Sequence, residues 1–307
     1  MTDPTTLLEG RAFLEGPRWH DGALWVSDMH AGEVLRVTLD GGVEVVARVD
    51  GDPSGLGWLP DGTLLVVSMR DRRLLRLETD GRLRVAADCS IVAPYEINDL
   101  VVDRFGHAFI SQFGFDFHGG APYAAAPLLR VDPDGSVHET ADRLKMANGL
   151  VVTAAGDTLV VAESTGKDLV AFDLAPDGTL TNRRLWADLA DYPDGICIDA
   201  EDGIWIASPV GDRFVRVREG GEVTDIVNVP GHHAIACALG GDDGRTLFLC
   251  TSSTHGQPDR SRAERGARVE VVTVGVARYP SRRRRSDLRR RAQHAWYAPT
   301  GARPDRG

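Results

Sequence analysis

Cysteine, aromatic residues and long apolar runs are all scarce in this 307-residue chain, and each shortage removes a class of protein. The four cysteines, Cys89, Cys197, Cys237 and Cys250, are irregularly spaced and form no C-x-x-C pair, so neither a zinc ribbon nor a disulfide framework is indicated. Cys197, Cys237 and Cys250 fall in apolar strand-like runs and are expected to be reduced and buried. With aromatics at 7% of a 42% hydrophobic composition, the core has to be mainly aliphatic. No segment approaches the roughly 18 apolar residues of a spanning helix, and MTDPTTLLEG has neither a basic n-region nor an apolar h-region. A soluble, unexported, cytoplasmic chain with no membrane partner is expected. There is no Gly-x-Ser-x-Gly elbow and no phosphate-cradling glycine loop, which withdraws support from serine-hydrolase and nucleotide-binding readings. Helical periodicity is missing too.

Basic charge is absent as a surface theme except at one end. Residues 278–307 hold ten Arg against Asp287 and Asp305, which is +8; since the whole chain is −10, the preceding 277 residues carry −18. An acidic body argues against nucleic acid as the main partner, because phosphate binding needs a basic surface. The tail SRRRRSDLRRRAQ follows no structural period and is expected to be a disordered appendage outside a domain spanning 1–277.

What the sequence does have is a repeat. An apolar strand, a turn with Gly or Asp-Gly, and a second strand ending in a small or polar residue recur as ALWVSD, LLVVS, AFIS, LVVAES, IWIAS and LFLCT. Their central residues Trp25, Leu65, Phe109, Val160, Trp205 and Phe248 are 40, 44, 51, 45 and 43 residues apart. Third strands such as GEVLRV and RFVRV alternate apolar and polar residues, the period of a strand with one face buried and one wet. Four antiparallel strands every 40 to 50 residues describe a propeller blade. The fold predicted is therefore all-β: a six-bladed β-propeller of four-stranded antiparallel blades around a central channel. TTLLEGRAFLEG is expected to supply the outer strand of the last blade, covering two edges at once.

Aligning the units by their second strands places Glu15, Ser54, Asn98, Asn148, Asp194 and Ala236 at the start of the six innermost strands, facing the axis. Asn-Gly and Asp-Gly are common turn pairs, yet each unit has a separate hairpin turn further on, as Asp202-Gly203 follows Asp194-Gly195. Four oxygen-bearing side chains converging on one axis would leave carboxylates close together unless a cation lay between them. Glu15, Asn98, Asn148 and Asp194 are thus candidate ligands of a divalent cation. All-oxygen donors favour Ca2+ first, with Mg2+, Mn2+ or Zn2+ as alternatives.

At these residues the sequence resembles the gluconolactonase, senescence marker protein and luciferin-regenerating enzyme family, and more distantly diisopropylfluorophosphatase. The resemblance covers about residues 10–276 and rests on LEGPRW, INDLVVD, NGLVVT, LVVAES, FDLAPDG, PDGICID and LFLCT. It implies a calcium-dependent six-bladed propeller, with metal ligands at Glu15, Asn148 and Asp194. Asn98 matches a position that touches metal in some members and substrate in others. Many members are lactonases, and some cleave phosphorus-fluorine or phosphotriester bonds. Sugar-lactone hydrolases of the family often carry a substrate-binding Arg where this chain has Glu96, which argues against an aldonolactone.

A bound dication can polarise an ester carbonyl and lower the pKa of a nearby water. The expected activity is metal-dependent hydrolysis of a small lactone or related ester, with Asp194 orienting or deprotonating the attacking water. Alternatives are a phosphotriesterase-like hydrolase and a non-catalytic propeller that binds a protein or small ligand. Substrate contacts are expected from Asn98, Glu96, Asp116, His118 and Glu163, with Asp28, Arg70, Gln112 and Thr251 at the other strand ends. The insertion QFGFDFHGGAPYAAAP (112–127) reads either as a lid, with Phe113, Phe115, Asp116 and His118 near the mouth, or as a solvent-facing loop. His232 and His233 read as ordinary loop histidines, with a proton shuttle as the sharper alternative. A monomer or weak oligomer is expected.

Overall fold

The computed structural model describes residues 3–117, 119–254 and 257–279. Six four-stranded antiparallel sheets follow one another around a ring, each laid down as a meander from the axis outward. The innermost strands are Leu14–His20, Pro53–Trp58, Ile97–Val102, Ala147–Val152, Ile196–Ile198 and His233–Gly240. The repeat centres all lie on the second strands. In the last blade the outermost strand is Thr5–Arg11, paired with Ala267–Thr273, so both ends of the ring are held in one sheet. That pairing removes the two edges an open ring would expose.

The core lies between the blades, not within any one of them. Six apolar clusters each join two neighbouring sheets around the full circle. Adjacent residues of one strand therefore face different partners: Val34 packs toward the second blade while Leu35 packs toward the sixth. This corrects the one-wet-face expectation for most of the third strands, which are covered on both sides; in the second blade Arg73 and Arg76 stay exposed. The outermost strands are the wettest, as in Val43–Arg48.

Two further differences from the sequence reading are local. A helix, Pro258–Glu264, follows the last second strand; seven residues with Pro at the first turn are too few to show a 3.6-residue period. The packed chain also runs two residues past 277, where Arg278 N donates to Gly244 O (2.8 Å) and the Tyr279 hydroxyl to Asp202 (3.1 Å). The rest of the Arg-rich tail lies outside the described residues. All four cysteines are free thiols, with Cys197 half-buried and the other three buried. Among the described residues no helix is long and apolar enough to cross a membrane.

Candidate metal centre and cavity

The innermost strands are irregular at one shared level. Their pairing with the second strands slips between Glu15 and Arg18, Pro53 and Leu56, Ile97 and Leu100, and Ala147 and Leu150. Bulges of this kind break the ladder and re-aim side chains. In the fifth blade Asp194 stands just ahead of the strand, fixed by Asp194 N donating to Ala207 O and Ala207 N to Gly195 O, both at 3.0 Å.

Backbones of neighbouring blades nearly touch at this level. A Cβ on Gly55 would lie 2.5 Å from Leu100 N, on Gly149 2.6 Å from Ile196 N, and on Gly195 2.5 Å from Ala236 Cβ. Hence the glycine after Ser54, Asn148 and Asp194: it is needed for axial packing, and the donor before it is free to serve the axis. Blades also hydrogen-bond here, Gly149 N to Asp194 O (3.3 Å) and Gly195 N to Ile235 O (2.9 Å). By that pattern Ile235, not Ala236, is the sixth equivalent of the donors. The alignment slipped one residue because the bulge of the last blade, between Ala234 and Ala236, is shorter.

Glu15, Asn98, Asn148 and Asp194 come together on the wall of one cavity of about 710 Å3. Each is under a tenth exposed. A hydrogen-bonded chain links them: Ser54 Oγ donates to Asn98 Oδ1 (2.9 Å), Asn98 Nδ2 to Asn148 Oδ1 (3.0 Å), and the Asn148 side chain bonds Asp194. Glu15 Oε2 accepts from its neighbour Gly16 N at 3.1 Å.

Little positive charge bears on the four side chains. Burial pushes the Glu15 carboxyl well above its ordinary range, and Asp194 and Asp99 push it further. Burial also raises Asp194 to about 7, against the hydrogen bond from Asn148 and with help from Asp99. Arg18, the cation that bears on Glu15, is committed to Asp99 (2.8 Å) and Leu100 O (2.8 Å), and Arg70 on the cavity wall is paired with Asp52 (2.9 Å). Two buried carboxylates and two carboxamides fit a hard divalent cation, which would supply the missing charge. Among the described residues no three His, Cys, Asp or Glu side chains cluster as a metal site, so the donor set counts only when carboxamides are included.

The remaining sequence candidates divide. Glu96 and Arg70 line the cavity, and Glu96 Oε2 is buried with no hydrogen-bond partner among the described residues. Glu163 does not reach it: fully buried, its Oε1 accepts from Lys145 N (2.9 Å) and Arg183 Nη2 (2.7 Å). Asp28, Gln112 and Thr251 also turn to structural partners, respectively Ala12 and Phe13 N–H, Pro127 O, and Glu270. Strand ends in a propeller alternate between channel and blade interface, and these face the interface. Asp116 organises its own loop by accepting from Gly119 N (2.6 Å), while Phe113 and Phe117 of that loop line the cavity. His118 lies outside the described residues. His232 and His233 stay off the wall; His233 Nδ1 bonds Pro209 O at 2.9 Å. Sequence reasoning missed Phe13, Met29, Met69 and Met146, whose signal was their repeat-equivalent position, four residues past a repeat centre for Met29 and Met69 and two before a donor for Phe13 and Met146.

Comparison with known proteins places this geometry in context. A family model described as "SMP-30/Gluconolactonase/LRE-like region" matches residues 13–253. The chain is 24% identical to pentonolactonase XacC of Haloferax volcanii over 289 residues, covering 90% of this chain and 94% of that one. It resembles the solved gluconolactonase of Xanthomonas campestris at 25% identity and a TM-score of 0.70, covering 88% and 89% of the two chains. It also shares its fold with regucalcin of Agrobacterium tumefaciens, a calcium-binding protein, at 21% identity and a TM-score of 0.73, covering 91% and 98%.

Proposed function

Because the chain belongs to the SMP-30/Gluconolactonase/LRE-like family, we propose that it is a hydrolase of lactones or related esters that depends on a divalent cation, calcium in first place. The observation that carries this reading is the convergence of Glu15, Asn98, Asn148 and Asp194 on one cavity wall, where Arg70 is paired with Asp52 and nearby Arg18 with Asp99. The names of the pentonolactonase and gluconolactonase relatives support lactone hydrolysis, and that of the regucalcin neighbour supports calcium.

Glu15, Asn98, Asn148 and Asp194 would hold the cation. When bound, it supplies positive charge that polarises the ester carbonyl and acidifies water. The chain's own contribution is positional. Asn148 donates to Asp194 and so leaves that carboxylate aimed into the cavity, where it can accept a hydrogen bond from the attacking water and then its proton. Ser54 and Asn98 fix Asn148 in turn. Arg18 neutralises Asp99 close by, and Arg70 neutralises Asp52 on the wall, so that Glu15 and Asp194 keep their charge for the cation. Glu96 offers an unpartnered oxygen to a donor on the substrate.

Assaying lactones, aryl esters and phosphotriesters with and without chelator tests the proposal. Lactone hydrolysis should fall by roughly two orders of magnitude in chelator and return on adding calcium. Full activity in chelator would sink the metal requirement, and turnover confined to phosphotriesters would favour the phosphotriesterase-like alternative.

A further inference from the structure

Six apolar clusters fill the gaps between blades, but a seventh does not. Phe13, Met29, Met69, Phe113 and Ile235, with half-buried Met146 against them, gather from five blades at the mouth of the channel. All but Ile235 line the same cavity as the four oxygen donors. Every methionine of the chain except Met1 belongs to this group. Thioether side chains are flexible and polarisable, and they adapt to apolar ligands of varied shape and to aromatic faces. The apolar surface continues to the rim, where Phe117 and Tyr192 are 42% exposed and Val210 is 69% exposed. Met146 also holds φ +58°, a left-handed backbone that residues other than glycine seldom adopt, and such outliers concentrate at ligand sites.

Polar groups on the wall are largely engaged within the protein. Ser164 Oγ donates to Pro193 O (2.7 Å), Thr165 Oγ1 to Lys145 O (3.0 Å), and Asp52 pairs with Arg70 (2.9 Å). A polyhydroxylated lactone would lay several hydroxyls against methionine and phenylalanine, where each unpaired hydroxyl loses its hydration without replacement. An alkyl or aryl group would gain from the same wall.

We infer that the substrate is a lactone bearing an apolar alkyl or aryl substituent, which the methionine and phenylalanine ring receives while the ester lies at the oxygen donors. This rests on the lactonase reading and narrows it away from sugar lactones. The reaction breaks the ring acyl C–O bond, joins water oxygen to the acyl carbon and returns a proton to the ring oxygen, giving a hydroxy acid.

The test uses the calcium-loaded full chain with γ-butyrolactone, γ-octalactone, γ-decalactone and D-glucono-1,5-lactone. kcat/KM should rise about fourfold per added methylene until the cavity is filled, matching ~0.8 kcal/mol per buried CH2. Gluconolactone should fall below the best alkyl lactone, and Met69→Gln and Phe113→Ser should flatten the rise. Gluconolactone turned over as well as γ-decalactone, or a rise untouched in both variants, would overturn the inference while leaving the lactonase intact. If no lactone is hydrolysed, the lactonase reading fails. The thermal shift then decides the ligand class: stabilisation by γ-decalactone but not gluconolactone upholds it, and the reverse, or neither, overturns it.

Discussion

Asp194→Asn is expected to lower kcat/KM for lactone hydrolysis by roughly three orders of magnitude, about 4 kcal/mol of lost transition-state stabilisation. The substitution keeps the shape of the side chain and removes one of the two charges that would hold the cation, along with the group proposed to accept the proton from water. Its effect on stability should change sign with conditions. In chelator the variant should be more stable than the parent at neutral pH, because burial and the nearby carboxylates oppose ionisation of Asp194. Folding raises this carboxyl from the ordinary range to about 7, so its contribution is intact below the unfolded pKa and is lost as pH climbs toward 7. The chelated parent should weaken over that window, and the variant should weaken less. With calcium the order should reverse, since a ligand that binds only the folded parent stabilises it by about 2.7 kcal/mol at a hundred times its Kd. Thermal unfolding of both proteins in chelator and in calcium, from pH 5 to 8, reads all four states. A variant less stable than the parent in chelator at pH 8 would mean that the site is not electrostatically strained.

Arg216→Ala is expected to destabilise the propeller by about 3–5 kcal/mol, read as a drop in unfolding free energy in urea. Arg216 is 3% exposed, and its guanidinium meets Asp199 twice, Nε at 2.5 Å and Nη2 at 3.2 Å. Thr224 Oγ1 accepts from Nη1 at 2.9 Å. Asp199 is fully buried and also accepts from Glu201 N (2.9 Å) and Gly203 N (3.1 Å), so it ties the hairpin after the fifth innermost strand. Truncating the arginine leaves that carboxylate buried without its cation, whereas Asp199→Leu with Arg216→Met removes both charges and should recover much of the loss. A loss below about 1 kcal/mol for Arg216→Ala would mean that water screens the pair as it does at a surface.

Arg216 also illustrates where the sequence was legible and where it was not. The six-fold repeat fixed the blade count and the axis, because turn spacing and strand length are local properties that a chain writes directly. The alternation in RFVRV pointed just as directly to a wet face, and there the inference failed. Propeller blades are covered on both sides, so a polar residue at that spacing can be buried if a partner from the neighbouring hairpin meets it. Asp103 repeats the lesson in the third blade: it accepts from Phe105 N and His107 N and shapes a turn, although it closes the motif INDLVVD. Motif residues therefore split between axis and hairpin, and spacing alone does not separate them.

The four side chains that meet on the cavity wall were legible because each opens an innermost strand, and the glycine after Glu15, Asn148 and Asp194 marks the close approach of the next blade. Ser54 was aligned with them but not recognised as the group that holds Asn98. The apolar ring was not legible. Met29, Met69 and Phe113 each stand four residues past a repeat centre, and Phe13 and Met146 two residues before Glu15 and Asn148, so the repeat carried their register, but only ring closure shows that the two sets meet. The expected substrate contact of Glu163 failed for a related reason: alternate residues at a strand end face the channel and the neighbouring blade, and one step of register exchanges them.

Calorimetric titration of calcium into the chelator-stripped full chain, repeated with Glu15→Gln and Asp194→Asn, addresses the axial cation site most directly. One site per chain, lost in both variants, is the expected result. No binding at millimolar calcium, or an isotherm that neither substitution alters, would contradict the placement of a cation among Glu15, Asn98, Asn148 and Asp194.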